Sequence, residues 1–308
     1  MGGGTVLVIG GSGFLSGTVA RAAVASGDTV AVVTRGRRPA PSGAHPFVAD
    51  RHDRESFAAA VDSALALAGG RFDLVVDAIA FTPEDARQDV ELFSDTTNRL
   101  VLVSTDFVYD PGKRRFPQRE DDADYLADGY GGRKRAAEEV LVAAGTDALP
   151  WVVVRPGHIY GPGSELGCLP PVGRDPELLG RLRRHEQIEL LGGGHFLQQP
   201  VFVGDLVRVV LELGRVDPSR CVGGVLNVAG PRIVESVEYY RLVARELGVD
   251  LAVTELPVDS YARAHPEKAS FICHRFYDLA RLAATGVRLP DTPLATGLRE
   301  HVRSLIEA

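Results

Sequence analysis

The sequence predicts an α/β protein in which a parallel β-sheet is covered by helices on both faces. Two observations carry this prediction. Short apolar runs rich in Val, Ile and Leu alternate with helical patterns through the first half of the 308-residue chain. The first of these runs ends in a glycine-rich turn that opens a helix. Strands joined through helices form right-handed crossovers, so the strands lie parallel and both faces of the sheet are buried.

The predicted elements follow one another in a regular order. Strands are predicted at residues 5–10, 29–34, 45–50, 72–80, 99–105 and 151–156, and helices at 14–27, at 53–66, from 82–83 onward and around Tyr130. Asp53 is the predicted N-cap of the second helix because its carboxylate can accept a hydrogen bond from a free backbone N–H group. Pro83 suits the first turn of the third helix, where no N–H group is needed.

After residue 160 the pattern loosens. Predictions in this part are a Gly- and Pro-rich loop at 161–176, a turn at 192–196, a strand and then a helix at 201–213, a strand at 224–231, and mostly helix from about 235 onward. Asp205 is the predicted cap of the helix within 201–213.

Composition favours a globular protein without a nucleic-acid or membrane surface. Apolar residues make up 45% of the chain and charged residues 24%, and the formal net charge is −7. No apolar run reaches the roughly 18 residues that would cross a bilayer. Cys168, Cys221 and Cys273 are too few and too widely spaced for a disulfide framework or a zinc site. We therefore expect no metal and a reducing, cytoplasmic location.

The segment VIGGSGFLSG places Gly10, Gly11 and Gly13 between the first strand and the first helix. Glycine lets the backbone turn tightly and approach a pyrophosphate, and the helix N-terminus offers free N–H groups and a positive dipole. This context predicts a Rossmann-type doubly wound parallel sheet with a smaller C-terminal substrate lobe. The alternative is an ordinary strand-to-helix turn.

The second strand ends in VTRGRR, where a cofactor with a free ribose 2′-hydroxyl usually meets an acid. Thr34 stands there instead, followed by Arg35, Arg37 and Arg38. A guanidinium binds a 2′-phosphate through charge-assisted bonds, so the sequence favours NADP over NAD, the alternative being a solvated basic loop. Asp50, at the end of the third strand, could accept a bond from the adenine amino group or serve as a turn residue.

Tyr130 and Lys134 lie four residues apart and share one helix face. Only three of the 34 basic residues are lysines, so a lysine at this spacing suggests chemistry. An ammonium near the phenol favours the phenolate, and we expect a lowered pKa for Tyr130. The alternative is an aromatic anchor beside a surface lysine.

The segment STDFVYD follows the fifth strand, at the edge where open α/β sheets bind ligands. The Thr105 hydroxyl could hold a substrate oxygen, and Asp106 could be a second acid or base. In the alternative interpretation Thr105 closes the strand and Asp106 caps the following turn.

The motifs GGSGFLSG, STDFVYD, YGGRK and RPGHIYGPG occur together in an order that resembles the extended short-chain dehydrogenase/reductases of the NAD(P)-dependent epimerase/dehydratase family. This resemblance implies a Thr105–Tyr130–Lys134 triad, a small-molecule substrate and a possible homodimer through helices of the nucleotide domain. It implies an NAD(P)-binding domain at 1–160, to which segments near 200–231 return, and a mainly substrate-binding lobe at 161–308. The predicted cofactor residues are Gly10, Gly11, Ser12, Gly13, Phe14, Leu15, Thr34, Arg35, Asp50, Arg51, Ala78, Ile79, Ala80, Tyr130, Lys134, Pro156, Gly157 and His158.

The chain departs from the pattern of this family at four positions. Ser16 replaces a glycine, and Phe107 replaces the glutamate of 4,6-dehydratases, which disfavours dehydration. His158 replaces an asparagine, either as an acid or base or as a loop histidine with a structural hydrogen bond. Gln198 replaces an arginine that often meets a pyrophosphate; the candidates to replace its charge are Lys268, His274 and Arg275.

Three hypotheses about function result. The first is an oxidoreductase or epimerase acting by hydride transfer on a sugar or sugar-nucleotide-like substrate. The second is an NADPH-dependent ketoreductase that acts on a small molecule without a nucleotide. Gln198 and His158 support this hypothesis. The third is a non-catalytic nicotinamide sensor or RNA-associated protein, which the Thr–Tyr–Lys set and the net charge of −7 disfavour.

Overall fold

The computed structural model describes residues 3–147, 149–170 and 173–307. The strands are β1 (Thr5–Ile9), β2 (Thr29–Thr34), β3 (His45–Val48), β4 (Leu74–Asp77), β5 (Leu100–Val103), β6 (Trp151–Pro156), β7 (Ile159–Tyr160), β8 (Ile188–Leu191), β9 (Leu197–Gln198), β10 (Val201–Phe202), β11 (Val225–Val228), β12 (Val234–Glu235) and β13 (Val253–Leu256). The helices are α1 (Phe14–Ala25), α2 (Arg54–Leu67), α3 (Pro83–Phe93), α4 (Gly129–Ala144), α5 (Leu178–Arg183), α6 (Val203–Leu213), α7 (Ser236–Glu246), α8 (Val258–Ala264), α9 (Ala280–Ala284) and α10 (Leu294–Ile306).

Seven strands form one parallel sheet in the order β11-β6-β5-β4-β1-β2-β3. The side chains of alternate strand residues enter two apolar clusters, one on each face of the sheet. The predicted doubly wound α/β class is therefore confirmed. The strand order reverses between β1 and β4, and such a switch point leaves a crevice at the carboxyl ends of the strands.

The helix caps in the first half follow the sequence signals. Asp53 accepts a hydrogen bond from the N–H group of Ser56 at 3.2 Å, as predicted for an N-cap. Thr82 caps α3, with Pro83 in its first turn. The prediction that Asp205 caps its helix was wrong. Its carboxylate accepts bonds from the N–H groups of Asp291 and Thr292, because this segment, far away in sequence, lies beside it.

The second half contains a small apolar cluster of its own, formed around α7 and α10. Beside it β13 pairs in parallel with β8. The described part of the tail also contains α7, α8, α9 and α10 and is mostly helical as predicted, and β13 is a strand that was not predicted. Both strands are only four residues long. β13 is half-exposed, and its sequence therefore lacks the apolar run from which a buried strand can be predicted.

Later segments return to the large sheet. β11 pairs with β6, α6 packs against α1, and α9 packs against β11. The division into two lobes near residue 160 stays a prediction. No helix in the described ranges has both the length and the apolar character needed to cross a membrane.

Candidate active site

Two adjoining cavities occupy the crevice at the carboxyl ends of the strands. The outer cavity has a volume of about 620 Å³ and lies beside β1, β2 and β3. The inner cavity, of about 370 Å³, lies beside β5 and β6. The ring of Phe81, which follows β4, lines both of them. A long ligand can therefore extend from one cavity into the other.

The outer cavity brings together most of the residues predicted for the adenosine end of a cofactor. It is lined by Gly10, Ser12, Gly13, Thr34, Arg35, Asp50, Arg51 and Ile79, together with Ser16, Arg37, Arg38 and Phe81. Of the remaining predicted residues within the described chain, Gly11, Phe14 and Ala80 belong to neither lining, and the others line the inner cavity.

The turn after β1 requires its glycines. Gly10 has a φ of +101°, and a Cβ atom there would lie 2.8 Å from the Ile79 side chain. A Cβ atom on Gly11 would lie 2.4 Å from Val32 in the neighbouring strand. The turn is thus pressed against β2 and the β4–α3 loop while the N-terminus of α1 faces the cavity, which fits a bound pyrophosphate.

Three arginines, Arg35, Arg37 and Arg38, line the far end of the outer cavity. The Thr34 hydroxyl lies 3.2 Å from the Ser12 hydroxyl, and both residues line the outer cavity. Asp50 also lines the cavity, and its carboxylate accepts a bond from the N–H group of His52 at 3.1 Å. Asp50 is thus a turn residue that still faces the cavity.

Arg51 has a different setting from the one expected for a ligand-binding side chain. It is buried, and its guanidinium contacts Asp77 at 2.6 Å and Asp89 at 3.0 Å. Asp77 in turn accepts bonds from the N–H groups of Ile79 and Ala80. Arg51 therefore lines the outer cavity and also supports the β4–α3 loop, while carboxylates already neutralise its charge.

The inner cavity collects the residues predicted for catalysis and for the nicotinamide end. Its lining includes Leu15, Ala78, Thr105, Asp106, Tyr130, Lys134, Pro156, Gly157 and His158. Thr105 follows β5, Tyr130 and Lys134 lie on the first turns of α4, and Pro156 ends β6. Elements that are far apart in sequence thus meet at one opening.

The phenol of Tyr130 is protonated at neutral pH. Desolvation raises its pKa, the charge of Asp106 acts in the same direction, and the nearby Thr105 hydroxyl opposes them. This contradicts the lowered pKa expected from Lys134. The ring is 45% exposed and packs between Phe81 and Phe107, at centroid distances of 6.4 and 6.2 Å.

Lys134 is buried and its ammonium group is held by the backbone. It donates hydrogen bonds to the carbonyl oxygens of Ala80 at 2.7 Å and Val103 at 2.6 Å. Burial lowers its pKa to about 8, although the carboxylates of Asp77 and Glu138 act in the opposite direction. The ammonium therefore connects the β4 and β5 strand ends beneath the cavity.

Gly131 sets the distance between α4 and the turn after β5. A Cβ atom on Gly131 would lie 1.9 Å from the carbonyl oxygen of Phe107, so only glycine fits there. This close approach brings the Tyr130 side chain beside Thr105. Sequence reasoning missed this role; the signal was the glycine pair within YGGRK, inside a helix where glycine is otherwise unfavourable.

Asp106 is part of a buried ion-pair cluster. Its carboxylate contacts Arg275, lies 3.1 Å from Arg114 and accepts a bond from the Tyr277 hydroxyl at 2.6 Å. The two guanidinium groups hold its pKa below the usual range despite burial. A carboxylate held in this way is a poor proton donor or acceptor at neutral pH, so Asp106 fits a structural role better than the predicted acid or base.

His158 lines the inner cavity as a neutral imidazole. Burial and the charge of Arg174 lower its pKa to about 4, although the backbone of Gly167 acts in the opposite direction. This setting favours a buried loop histidine over an acid or base.

Gln198 is fully buried, and neither polar atom of its side chain has a hydrogen-bond partner within the described chain. Two of the three candidates supply no free cation in its place, and the third, Lys268, contacts an aromatic ring of the inner cavity. Arg275 is bound to Asp106, and His274 accepts a bond from the N–H group of Leu197. Lys268 lies 5.4 Å from the Phe271 ring centre.

The inner-cavity lining residues that were not predicted as site residues from the sequence include Phe81, Leu169, Arg174 and Phe271. Phe81 follows a strand at the ligand-binding edge, and its position was the available signal. Leu169 and Arg174 come from a loop, and Phe271 from a turn in the second half. These segments reach the site only through tertiary packing.

The doubly wound sheet and its switch-point crevice define the class of α/β proteins that bind dinucleotides. The chain belongs to the NAD dependent epimerase/dehydratase family, whose sequence profile matches residues 6–229. The family consists of NAD(P)-dependent enzymes, and the resemblance found in the sequence is thereby confirmed.

Curated relatives match over part of their length. A dTDP-4-dehydro-6-deoxy-D-allose reductase from Streptomyces bikiniensis is 32% identical over 155 residues, which cover 49% of this chain and 42% of that protein. A dTDP-4-dehydrorhamnose reductase from Mycolicibacterium smegmatis is 25% identical over 199 residues, covering 58% and 55%. The matches thus span about half of each relative or less.

Solved structures match over the whole chain at lower identity. A UDP-glucose 4-epimerase from Thermotoga maritima, crystallised with UDP-glucose, has a TM-score of 0.76 and 19% identity, covering 98% of this chain and 99% of that one. MoeE5 in complex with UDP-glucose and NAD has a TM-score of 0.71 and 21% identity, covering 99% of each. At these identities the similarity establishes the fold.

Proposed function

We propose that this protein is an NADP(H)-dependent oxidoreductase that reduces a carbonyl group of a sugar or sugar-nucleotide-like substrate, or catalyses the reverse oxidation. The observation that carries the proposal is the joint presence of Thr105, Tyr130 and Lys134 around one cavity. That cavity adjoins a second one, which has a glycine turn at one end and three arginines at the other. The curated relatives named above are reductases, which agrees with this direction of reaction.

The residues present suit a bound dinucleotide. Gly10, Ser12 and Gly13 would hold the pyrophosphate at the N-terminus of α1, and Arg35 with Arg37 would hold a 2′-phosphate. When bound, NADP(H) supplies or accepts the hydride.

In carbonyl reduction, Tyr130 provides the proton. Its raised pKa keeps the phenol protonated at neutral pH, which suits a general acid. Thr105 lines the same cavity as Tyr130, and its hydroxyl can orient the substrate oxygen towards the phenol. Lys134 places a positive charge beneath the site and so favours the phenolate that remains after proton transfer.

Aromatic rings restrict water around the reacting groups. Phe107 packs edge-on against both Tyr130 and Phe271, at 6.2 and 5.3 Å between ring centres. Phe81 covers the other side of Tyr130. An apolar wall strengthens the electrostatic effect of Lys134 because it lowers the local dielectric constant.

We expect the double variant Arg35→Ala/Arg37→Ala to lose affinity for NADPH by about 100-fold or more, because each of the two charge-assisted bonds contributes about 1.5–3 kcal/mol. Affinity for NADH should change less than twofold. Fluorescence titration of the apo protein measures both. The control is Arg54→Ala, an exposed arginine of the same lobe that pairs with Glu91. A wild-type protein that prefers NADH would contradict the assignment of NADP.

A specific observation favours a second candidate, an NADPH-dependent ketoreductase whose substrate carries no nucleotide. A diphosphate in a partly buried site needs compensating cations or N–H donors. Among the described lining residues of the inner cavity, the cations are Lys134, which is bound by two carbonyl groups, and Arg174. Gln198 adds no charge, and the charge of Arg275 is paired with the carboxylate of Asp106.

A pair of substrates separates the two candidates. We expect NADPH oxidation with a 4-keto-6-deoxy sugar, and a KM within tenfold for the dTDP-linked and the free form, because little positive charge is available for a diphosphate. Steady-state kinetics by absorbance measures both. A KM for the dTDP-linked sugar that is more than 100-fold lower than the KM for the free sugar would reject the second candidate in favour of the first. Failure of both sugars would count against the proposed substrate class.

A further inference from the structure

Glu138 is a fully buried carboxylate on α4 with a complete set of hydrogen-bond partners. Its Oε1 atom accepts bonds from the Ser104 hydroxyl at 2.5 Å and from Nε of Arg155 at 3.0 Å. Its Oε2 atom accepts bonds from Nη2 of Arg155 at 2.6 Å and from Nη1 of Arg135 at 3.0 Å. The pair with Arg155 is thus bidentate, the geometry that fixes orientation as well as distance.

One partner of Glu138, Ser104, itself lines the inner cavity, and another, Arg155, stands next to a lining residue. Ser104 immediately precedes Thr105, and Arg155 immediately precedes Pro156. Glu138 itself lies one helical turn after Lys134 on the same helix face. One carboxylate therefore connects the helix of the predicted triad with the ends of both strands that face it.

We propose that Glu138, through Arg155 and Ser104, is a positioning residue that fixes α4 against β5 and β6 and so sets the geometry of Thr105, Tyr130 and Lys134. This inference rests on the proposed function, and it assigns Glu138 no contact with substrate or cofactor.

Arg155 is anchored on its far side as well. Its Nη1 atom donates to the hydroxyl of Tyr109 at 3.0 Å, and its guanidinium lies 5.0 Å from the ring centres of Tyr109 and Tyr125. The Tyr109 hydroxyl donates to Asn227 on β11 at 2.6 Å. Glu138 is therefore also connected, through Arg155 and Tyr109, to β11 at the edge of the sheet.

Stability alone does not account for this arrangement. A buried ion pair loses hydration on both sides and is often no more stabilising than apolar residues of the same size. What the pair provides is a defined register, because a bidentate contact tolerates little sliding of α4 along the strands. Placement within fractions of an ångström is what proton transfer between Tyr130 and a substrate oxygen requires.

The charge of Glu138 also acts on Lys134. The groups around the Lys134 ammonium are Asp77 and Asp85 from the β4–α3 region, Arg51 from the end of β3, and Glu138 from α4 itself. Asp77, Glu138 and Asp85 favour the charged form, whereas Arg51 and burial disfavour it. Removing the charge of Glu138 should therefore lower the pKa of Lys134 further. The alkaline limb of the pH–rate profile, where turnover falls as Lys134 loses its proton, should then move to lower pH.

The test compares Glu138→Gln, Glu138→Asp and Ser104→Ala with the control Glu139→Gln. Glu139 is the next residue on α4, is 59% exposed and also contacts Arg135. We expect Glu138→Gln to lower kcat about tenfold or more and to shift the alkaline limb to lower pH, with the Kd for NADPH within threefold of wild type. Glu138→Asp should restore the pH profile but not kcat, because the shorter side chain keeps the charge and loses the bidentate reach. Ser104→Ala should lower kcat severalfold at an unchanged melting temperature.

Wild-type-like kcat and pH profiles in folded Glu138→Gln and Ser104→Ala would overturn the proposal. If Glu138→Gln fails to fold, Ser104→Ala decides, since it removes a single hydrogen bond and no charge. Tyr130→Phe is assayed alongside. Full activity in that variant would reject the proposed function itself, which is a different result from full activity in the Glu138 series alone.

Discussion

The Tyr130→Phe variant is expected to lose about 10³-fold in turnover while it binds NADPH as tightly as the wild type. The change removes one oxygen atom, and with it the proton donor, whereas general acid catalysis contributes about 10²–10⁴-fold to enzymatic rates. The ring remains between Phe81 and Phe107, so the cavity keeps its shape. Single-turnover kinetics with NADPH measures the chemical step, and fluorescence titration measures binding.

The matched control for this variant is Tyr261→Phe, a tyrosine on α8 whose ring packs against His265 away from both cavities. It should retain wild-type turnover. Activity that survives in Tyr130→Phe would show the catalytic assignment to be wrong. Wild-type protein that binds NADPH tightly but turns over none of the carbonyl substrates would support the hypothesis of a non-catalytic sensor.

The part of the site that depends on local sequence was predictable. Gly10, Gly11 and Gly13 lie in a turn whose conformation is set by neighbouring residues, and their context between strand and helix follows from periodicity. Tyr130 and Lys134 share a helix face because of their spacing alone. The alternation of apolar runs and helical patterns was enough for the seven-stranded sheet. The predicted bounds of β2 and β6 match the structure, and the other five strands were extended one to three residues too far at one or both ends.

The part that depends on distant contacts was not predictable. Asp106 stands beside the triad, as expected, but its partner Arg275 lies 169 residues further along the chain. Nothing local distinguishes a free carboxylate from one neutralised in this way. Arg51 was assigned to the cofactor from its place after β3, yet it turns inward to carboxylates on β4 and α3. Short, half-exposed β13 likewise exists because β8 lies beside it.

The Lys134→Met variant is expected to lose about 10²- to 10³-fold in turnover and to lose the alkaline limb of the wild-type profile. Methionine keeps the length of the side chain and removes the positive charge that favours the Tyr130 phenolate. In the wild type the pKa of Lys134 is lowered to about 8, so the ammonium is present below that pH and is lost above it. Turnover by the wild type should therefore fall as the pH rises through 8, and turnover by the variant should show no such step.

Stability provides an independent check of the same pKa. Between pH 8 and about 10 the unfolded chain keeps its Lys134 proton while the folded protein has lost it, because burial lowers the pKa only in the folded state. The free energy of unfolding of the wild type should therefore rise with pH across this window relative to Lys134→Met. The control Lys113→Met, which changes an exposed lysine, should follow the wild type in both rate and stability. A rate step near pH 8 that persists in Lys134→Met would assign the titration to another group, and the ammonium would then act through its bonds to Ala80 and Val103 and not through its charge.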